Sequence, residues 1–452
     1  MRQFFVIAFR NLTSHSGRSL VLGGAIALVT TLVVVMLALT AGIRNRMIEN
    51  ATALSTGHLN VGGFLKISQS SAAPVINRAS KLRTLIAETV PEATLVVERV
   101  RAYGKIISDE NSIMVPMSGI DMAKEETLLG GLALAERGDY IEGDLASDAK
   151  PELPGRMMDL AQQGSIVMFA SQAKKLKVRV GDTVTISMPT YRNIYNTKDL
   201  RVAAILKNLG LISSFTTFIN HLDAREVYDL DPDTTGVFQI YLKSIDQVSA
   251  VDDRLRKGLS AASYALMEKD ANPFWMKFER VAGESWSGQK LDVTDWQDET
   301  SFLKWILDIF NALTVALTAT LMFIVTVGLV NNMWMSIRER TPEIGTMRAL
   351  GLQRRGVLVM FLIESCLLAV MSVGAGILIG SGIVGLLNLI DVQISSEAFV
   401  MFLMSNSLWL DLQASDLLIT FTTLSVLLIL GAFIPAYRAS KMKPITAINH
   451  VN

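Results

Sequence analysis

One short segment of this chain has residue types and spacing suited to passing force between proteins. Residues 338–350 read Arg338-Glu-Arg-Thr-Pro-Glu-Ile-Gly-Thr-Met-Arg-Ala-Leu350. Thr341 is placed to cap a helix, Pro342 suits its first turn, and Glu343 complements the positive end of the helix dipole. Gly351 then offers a left-handed stop. Ile344, Met347 and Leu350 recur at helical spacing, which predicts a helix of about two turns with an apolar stripe beside Arg348. The chemistry is non-covalent: a short charged helix on a tight loop receives a push and passes it on. Equipment for covalent chemistry is missing from the sequence. It has no Gly-rich phosphate loop of the Walker type, so the chain is not expected to hydrolyse ATP. His15, His58, His221 and His450 are scattered, with no zinc-hydrolase pairing. Gly283-Glu-Ser285-Trp-Ser287 lacks the closing glycine of a nucleophile elbow.

The elements that must position this segment are apolar. Half the residues are hydrophobic (50%) and the formal net charge is +0, so there is no electrostatic footprint for nucleic acid. Four stretches carry no charge over the length needed to cross a bilayer, about 20 residues: 19–43, 309–337, 365–390 and 417–437. Basic residues flank three points: Arg2, Arg10 and Arg18; Arg338, Arg340, Arg348, Arg354 and Arg355; and Arg438, Lys441 and Lys443. The loop 391–416 holds Asp391, Glu397, Asp411 and Asp416 and no basic residue. The positive-inside rule then puts both termini and the 338–355 loop in the cytoplasm and residues 44–300 outside. The first span exceeds the apolar length of a signal peptide and is read as a retained anchor. A helix unbroken from Phe302 to Ile337 would run about 54 Å, longer than the hydrocarbon core, and would stand out of it as a stalk. Cys366 is the sole cysteine, which excludes a disulfide within the chain and leaves the outer domain to packing alone.

The motifs around the second to fourth spans resemble the FtsX-like permeases, the MacB and LolC/LolE branch of the ABC transport proteins. The residues carrying the resemblance are Arg340-Thr341-Pro342-Glu343-Ile344-Gly345, Arg348-Ala349-Leu350-Gly351, Arg354-Arg355 and Glu364. The C-terminal Pro435-Ala436-Tyr437-Arg438-Ala439-Ser440, with Pro444-Ile445 and Ala447-Ile448, matches the same family. The resemblance implies an α-helical membrane protein with four transmembrane helices and a large α+β extracytoplasmic domain between helices 1 and 2. It implies a permease subunit in a bacterial inner membrane, working as a homo- or heterodimer with a cytoplasmic ABC ATPase that binds ATP and Mg. Arg340, Thr341, Pro342, Glu343, Ile344, Met347, Arg348 and Leu350 would be the coupling residues, with 343–350 entering a groove on the ATPase. No cofactor or metal is expected in this chain. The cargo reading favours lipoprotein release or another envelope cargo, passed to a periplasmic acceptor. The alternatives are MacB-like export of small molecules or peptides through an adaptor and outer-membrane duct, and mechanical activation of a cell-wall hydrolase.

The expected layout is an amphipathic helix within 1–18, a span over 19–43, the outer domain over 44–300, stalk and span over 301–337 and the coupling loop over 338–355. A span over 356–390, an outer loop over 391–416, a span over 417–437 and a tail over 438–452 complete it. Within the outer domain, helices are expected over 81–89, 171–176 and 244–267, and strands over 93–100, 105–107, 111–115, 164–170 and 183–187. Gly181-Asp182, Gly119-Ile120-Asp121 and Gly138-Asp139-Tyr140-Ile141-Glu142-Gly143 resemble the corresponding MacB-type domain. Leu211, Ile212 and Phe215 form an uncharged candidate contact for cargo or a partner, with Tyr191 and Tyr195 on a second candidate loop. In the third span, Gly376 and Gly380 form a small-xxx-small pair expected to pack against a second copy or a related subunit. Glu364, at the cytoplasmic end of this span, is expected to snorkel or to pair with Arg354 or Arg355.

Overall fold

The computed structural model describes residues 16–68, 71–141, 155–192, 194–394, 396, 399–400 and 407–442. The amphipathic helix expected at the N-terminus, residues 142–154, Glu397 and the tail from Lys443 lie outside the described residues. The chain divides into two compact units, one of Met1–Asn45, Leu307–Gln393 and Ser407–Asn452, the other of Arg46–Ile306 with Ile394–Asn406.

Helix α1 (Ser16–Leu54) carries the first apolar stretch and continues through charged residues after it. The α+β domain follows. Strands β1 (Leu59–Ser68), β2 (Ser71–Ala73) and β3 (Ile76–Asn77) lead into α2 (Ala79–Thr89), then β4 (Leu95–Ile107), β5 (Ser112–Ile120) and α3 (Met122–Leu129). Next come β6 (Ser165–Phe169), α4 (Ala170–Leu176), β7 (Thr183–Pro189), β8 (Tyr195–Leu206), α5 (Gly210–Ser213), β9 (Phe218–Asn220) and α6 (His221–Val227). Then β10 (Thr234–Thr235), β11 (Val237–Tyr241), α7 (Val248–Ala261), α8 (Phe278–Gly283), β12 (Gly288–Asp295) and α9 (Trp296–Glu299) close the domain. The chain finishes with α10 (Ser301–Glu339), α11 (Thr341–Ala349), α12 (Arg354–Ile390) and α13 (Ala414–Ser440). Four of these helices are long and apolar enough to cross a membrane: Ser19–Leu54, Lys304–Glu339, Arg354–Ile390 and Ala414–Ser440.

The main sheet has ten strands among the described residues, ordered β12-β1-β11-β4-β5-β9-β6-β8-β7, with β2 on β1. Strand β7 also pairs with β4, so the path from β4 through β5, β9, β6, β8 and β7 closes on itself as a barrel. Strand β4 belongs to both halves. Its residues Leu95 to Arg99 pair antiparallel with β11, and Val100 to Ile107 pair with β5. The single long β4 replaces the two strands expected over 93–107, because Arg101 to Gly104 are also extended and laddered on β5.

Each half has its own core. Leu82 and Ile86 of α2 and Val251, Leu255 and Leu259 of α7 pack on Leu59, Val61, Phe238 and Ile240 of the sheet. Burying each large aliphatic side chain contributes about 1.5–3 kcal/mol, which holds the two helices to the sheet without a disulfide. The barrel is filled by Ile106, Val115, Met117, Ile166, Ile186 and Val202 among others. Helix α7 is shorter than the expected 244–267. Ser263 takes φ 64, and Met267 then donates its N–H to the Leu291 carbonyl, so the chain turns to run beside β12.

In the apolar unit, Ile26, Val29 and Val33 of α1, Leu329 and Met333 of α10, Met360 and Phe361 of α12 and Leu424 and Leu428 of α13 share one buried cluster. Pro435 lies inside α13.

Candidate coupling site

Helix α11 is set between α10 and α12 by side chains that the linear motif does not distinguish. Thr341 is not its N-cap. Arg340 occupies that position without a side-chain cap, and the Thr341 hydroxyl instead donates to the Ile337 carbonyl at 2.8 Å, joining α11 to the last turn of α10. Pro342 stands in the first turn, Glu343 complements that end and Arg348 the other. Gly351 has φ 100, the left-handed stop expected of it.

Arg340 is the fixed point. Its side chain is only 9% exposed; Nη1 donates to Glu364 Oε2 at 3.0 Å and Nε to Glu343 Oε2 at 3.3 Å. Its guanidinium also lies 5.6 Å from the centre of the Phe361 ring. Glu364 therefore pairs with Arg340, while Arg354 and Arg355 are exposed. Glu364 follows the first ten residues of α12, and its carboxylate meets Arg340 at the start of α11. At the far end, Arg348 Nη1 donates to the Ser440 carbonyl at 3.1 Å and to that of Met442, so α11 also clasps the end of α13. Ile344, 1% exposed, enters the apolar cluster with Val357 and Phe361, and Met347 is half-buried against it.

The expected apolar stripe therefore splits. Ile344 and Met347 face inward, while Leu350, beyond the last helical turn, is 84% exposed. Glu343 (side chain 66% exposed), Thr346, Ala349 and Leu350 form the outer face, continued by Gln353, Arg354 and Arg355. One side of α11 is bound to α10, α12 and α13, and the other is exposed among the described residues.

The small-residue pair of α12 packs within the chain. A side chain at Gly376 would meet the Ala27 carbonyl and Thr30 Cβ at 2.5 Å, and one at Gly380 would meet Val34 at 3.0 Å. The Thr31 hydroxyl donates to the Gly376 carbonyl at 3.0 Å. Gly376 and Gly380 thus face α1, correcting the expectation of a second copy or a related subunit; Gly374, Gly382 and Gly385, on other faces, meet nothing within 4 Å. In the α+β domain, Ile212 is buried and Leu211 half-buried on α5, leaving Phe215, 53% exposed, as the accessible member of its trio. Tyr191 is buried. The tight turn from Thr190 to Ile194 brings it onto Tyr228, and its hydroxyl donates to Asp231 at 3.1 Å. Tyr195 stays exposed, joined by Ile194.

Comparison with known proteins agrees with this architecture. Residues 21–257 match the family model of the MacB-like periplasmic core domain, and residues 315–444 match the FtsX-like permease C-terminal model. The chain belongs to the FtsX-like, MacB-type family of ABC transporter permeases. It is 26% identical over 221 residues to the macrolide export ATP-binding/permease protein MacB of Bdellovibrio bacteriovorus, a match covering 49% of this chain and 31% of that protein. It is 22% identical over 274 residues to an uncharacterized ABC transporter permease of Methanocaldococcus jannaschii, covering 60% of this chain and 58% of that one. The chain thus spans less than two thirds of either relative. Among solved structures, the periplasmic region of MacB from Actinobacillus actinomycetemcomitans aligns with a TM-score of 0.30 and 11% identity, over 56% of this chain and 96% of that one.

Proposed function

We propose that this chain is the permease subunit of an ABC complex in an inner membrane, with both termini in the cytoplasm. A separate ATPase binds ATP and Mg and docks on the outer face of α11. The observation that carries this reading is the two-sidedness of α11. Arg340, Ile344 and Arg348 tie it to α10, α12 and α13, while Glu343, Leu350 and the residues after it are left for a partner. A helix held this way moves with the spans. An ATPase that contacts it differently in its two nucleotide states shifts the equilibrium of the permease by that difference in contact energy. A second permease copy or a related subunit completes the complex.

The work reaches cargo through the α+β domain. Lipoprotein release or transfer of another envelope cargo to a periplasmic acceptor is the leading reading, with exposed Phe215 as the apolar contact. The MacB-type core-domain match supports a second reading, export of small molecules or peptides with an adaptor and outer-membrane duct. Activation of a cell-wall hydrolase is the non-transporting alternative.

Leu350→Asp combined with Glu343→Arg tests the docking face. The pair is expected to abolish co-purification of the ATPase from detergent-solubilised membranes while leaving the permease's thermal unfolding unchanged. Retention of the ATPase by the double variant would overturn the assignment.

A further inference from the structure

The end of α1 is held by an unusual set of side chains. The last carbonyls of a helix have no partner within it and are ordinarily left to water or a left-handed cap. Here the domain supplies donors for four successive carbonyls. Tyr241 Oη donates to Thr52 O at 3.0 Å, Arg99 Nη2 to Ala53 O at 3.0 Å, Arg99 Nη1 to Leu54 O at 2.7 Å and Gln239 Nε2 to Ser55 O at 2.9 Å. Arg99 is itself fixed, because Nε and Nη2 donate to Glu125 Oε2 of α3 at 2.8 and 2.5 Å. The two side chains are 1% and 0% exposed. Both nitrogens meet one carboxylate oxygen, Glu125 Oε1 having no partner among the described residues, and this charge-assisted contact, buried away from water, fixes the place of the guanidinium.

Two residues further along the same face of β4, Arg101 points at the other junction. Its guanidinium stacks 4.2 Å from the centre of the Phe274 ring, and Nη1 lies 3.7 Å from Glu299 Oε1, at the end of α9 just before α10 begins. Glu299 Oε1 already accepts from the Thr294 hydroxyl at 2.8 Å, and Arg101 Nη2 has no hydrogen-bond partner among the described residues. A buried guanidinium with an orphaned nitrogen is costly, and a small shift of the carboxylate would satisfy it.

We infer that Arg99 and Arg101 are the positioning residues that join the end of α1 and the α9 turn leading into α10 to β4, the strand shared by sheet and barrel. Arg99 is the fixed anchor of α1. Arg101–Glu299 is the contact that tightens when α10 moves. The inference rests on the force-transmission reading above and names where that force enters the domain.

The test uses the full chain, purified with its ATPase and placed in lipid nanodiscs. Spin labels at Lys81→Cys and Asp308→Cys in a Cys366→Ser background report the domain-to-α10 distance with and without ATP and orthovanadate. The parent chain is expected to change distance on trapping. Glu299→Gln and Arg101→Met are expected to lose more than half of that change, and Arg101→Lys to restore most of it, each read on protein that still unfolds cooperatively above the assay temperature, since stranding one buried partner lowers the melting temperature. The volume-matched double variant Arg99→Met/Glu125→Met removes the buried charges together, so the fold is kept while the anchor is lost. It too is expected to lose the change. Folded variants that shift as the parent does would overturn the inference and leave the transmission reading standing. A parent chain that does not shift at all would overturn both.

Discussion

Arg340 shows how one residue can belong to a motif and act outside it. Its bond to Glu364 bridges α11 and α12 where both charges are largely shielded from water, so losing one partner strands the other. Arg340→Met is expected to lower stability by about 2 kcal/mol, on the scale of a hydrogen bond to a charged group. Adding Glu364→Leu should recover most of it, as read by thermal unfolding in detergent. Asp298, in the turn before α10, offers a different single-residue test. Burial, then the nearby Asp295 charge, push its carboxyl up from 3.8 to about 6. The folded chain therefore holds this proton more tightly than the unfolded one. That contribution to stability is complete below about pH 3.8 and is lost as pH rises through about 6. Asp298→Asn keeps an acceptor for the Asp295 N–H and removes the cost of ionisation. Its melting temperature should exceed the parent's at pH 7.5, with the gap closing at pH 4; equal melting curves at both pH values would refute this.

The long helices pack by shape as much as by apolarity. In lipid the tails are as apolar as the side chains, so close approach of backbones has to supply the attraction. The α1–α12 seam does this at Gly376, where an added Cβ would sit 2.5 Å from the Ala27 carbonyl and Thr30. Gly376→Val should therefore cost about 1–3 kcal/mol through overpacking, whereas Gly374→Val, with nothing within 4 Å, should be close to neutral. Thermal unfolding of the two variants side by side separates packing from the general effect of a β-branched residue. Helix α11 is bounded by Pro342 and by the left-handed Gly351, which keep it to the nine residues of Thr341–Ala349. A longer helix would carry Leu350 onto a helical face and away from the loop that presents it.

At the scale of the molecule, the proposed orientation makes a direct prediction. In a Cys366→Ser background, a cysteine at Gln353 should react with an impermeant thiol reagent only from the cytoplasmic side, and one at Lys81 only from the opposite side. The reverse pattern would remove α11 from the reach of any cytoplasmic ATPase. Much of the architecture was legible in the chain. Charge-free stretches long enough to cross a bilayer are local properties of composition, and Pro342, Glu343 and Gly351 mark a short helix because their backbone preferences act within a few bonds. The α+β character of the outer domain followed from its mixed periodicity for the same reason. Contacts distant in sequence were not legible. Glu364 met Arg340, which lies further from it along the chain than Arg354 or Arg355, Gly376 and Gly380 met α1 of their own chain, Leu350 parted from Ile344, and Arg99 reached back to the end of α1. Composition and short-range pattern determined where the helices lie and which loop is charged. The tertiary structure alone decided the partners of those charges and glycines, because a buried polar or close-packed contact is selected by what the completed fold brings within about 3 Å.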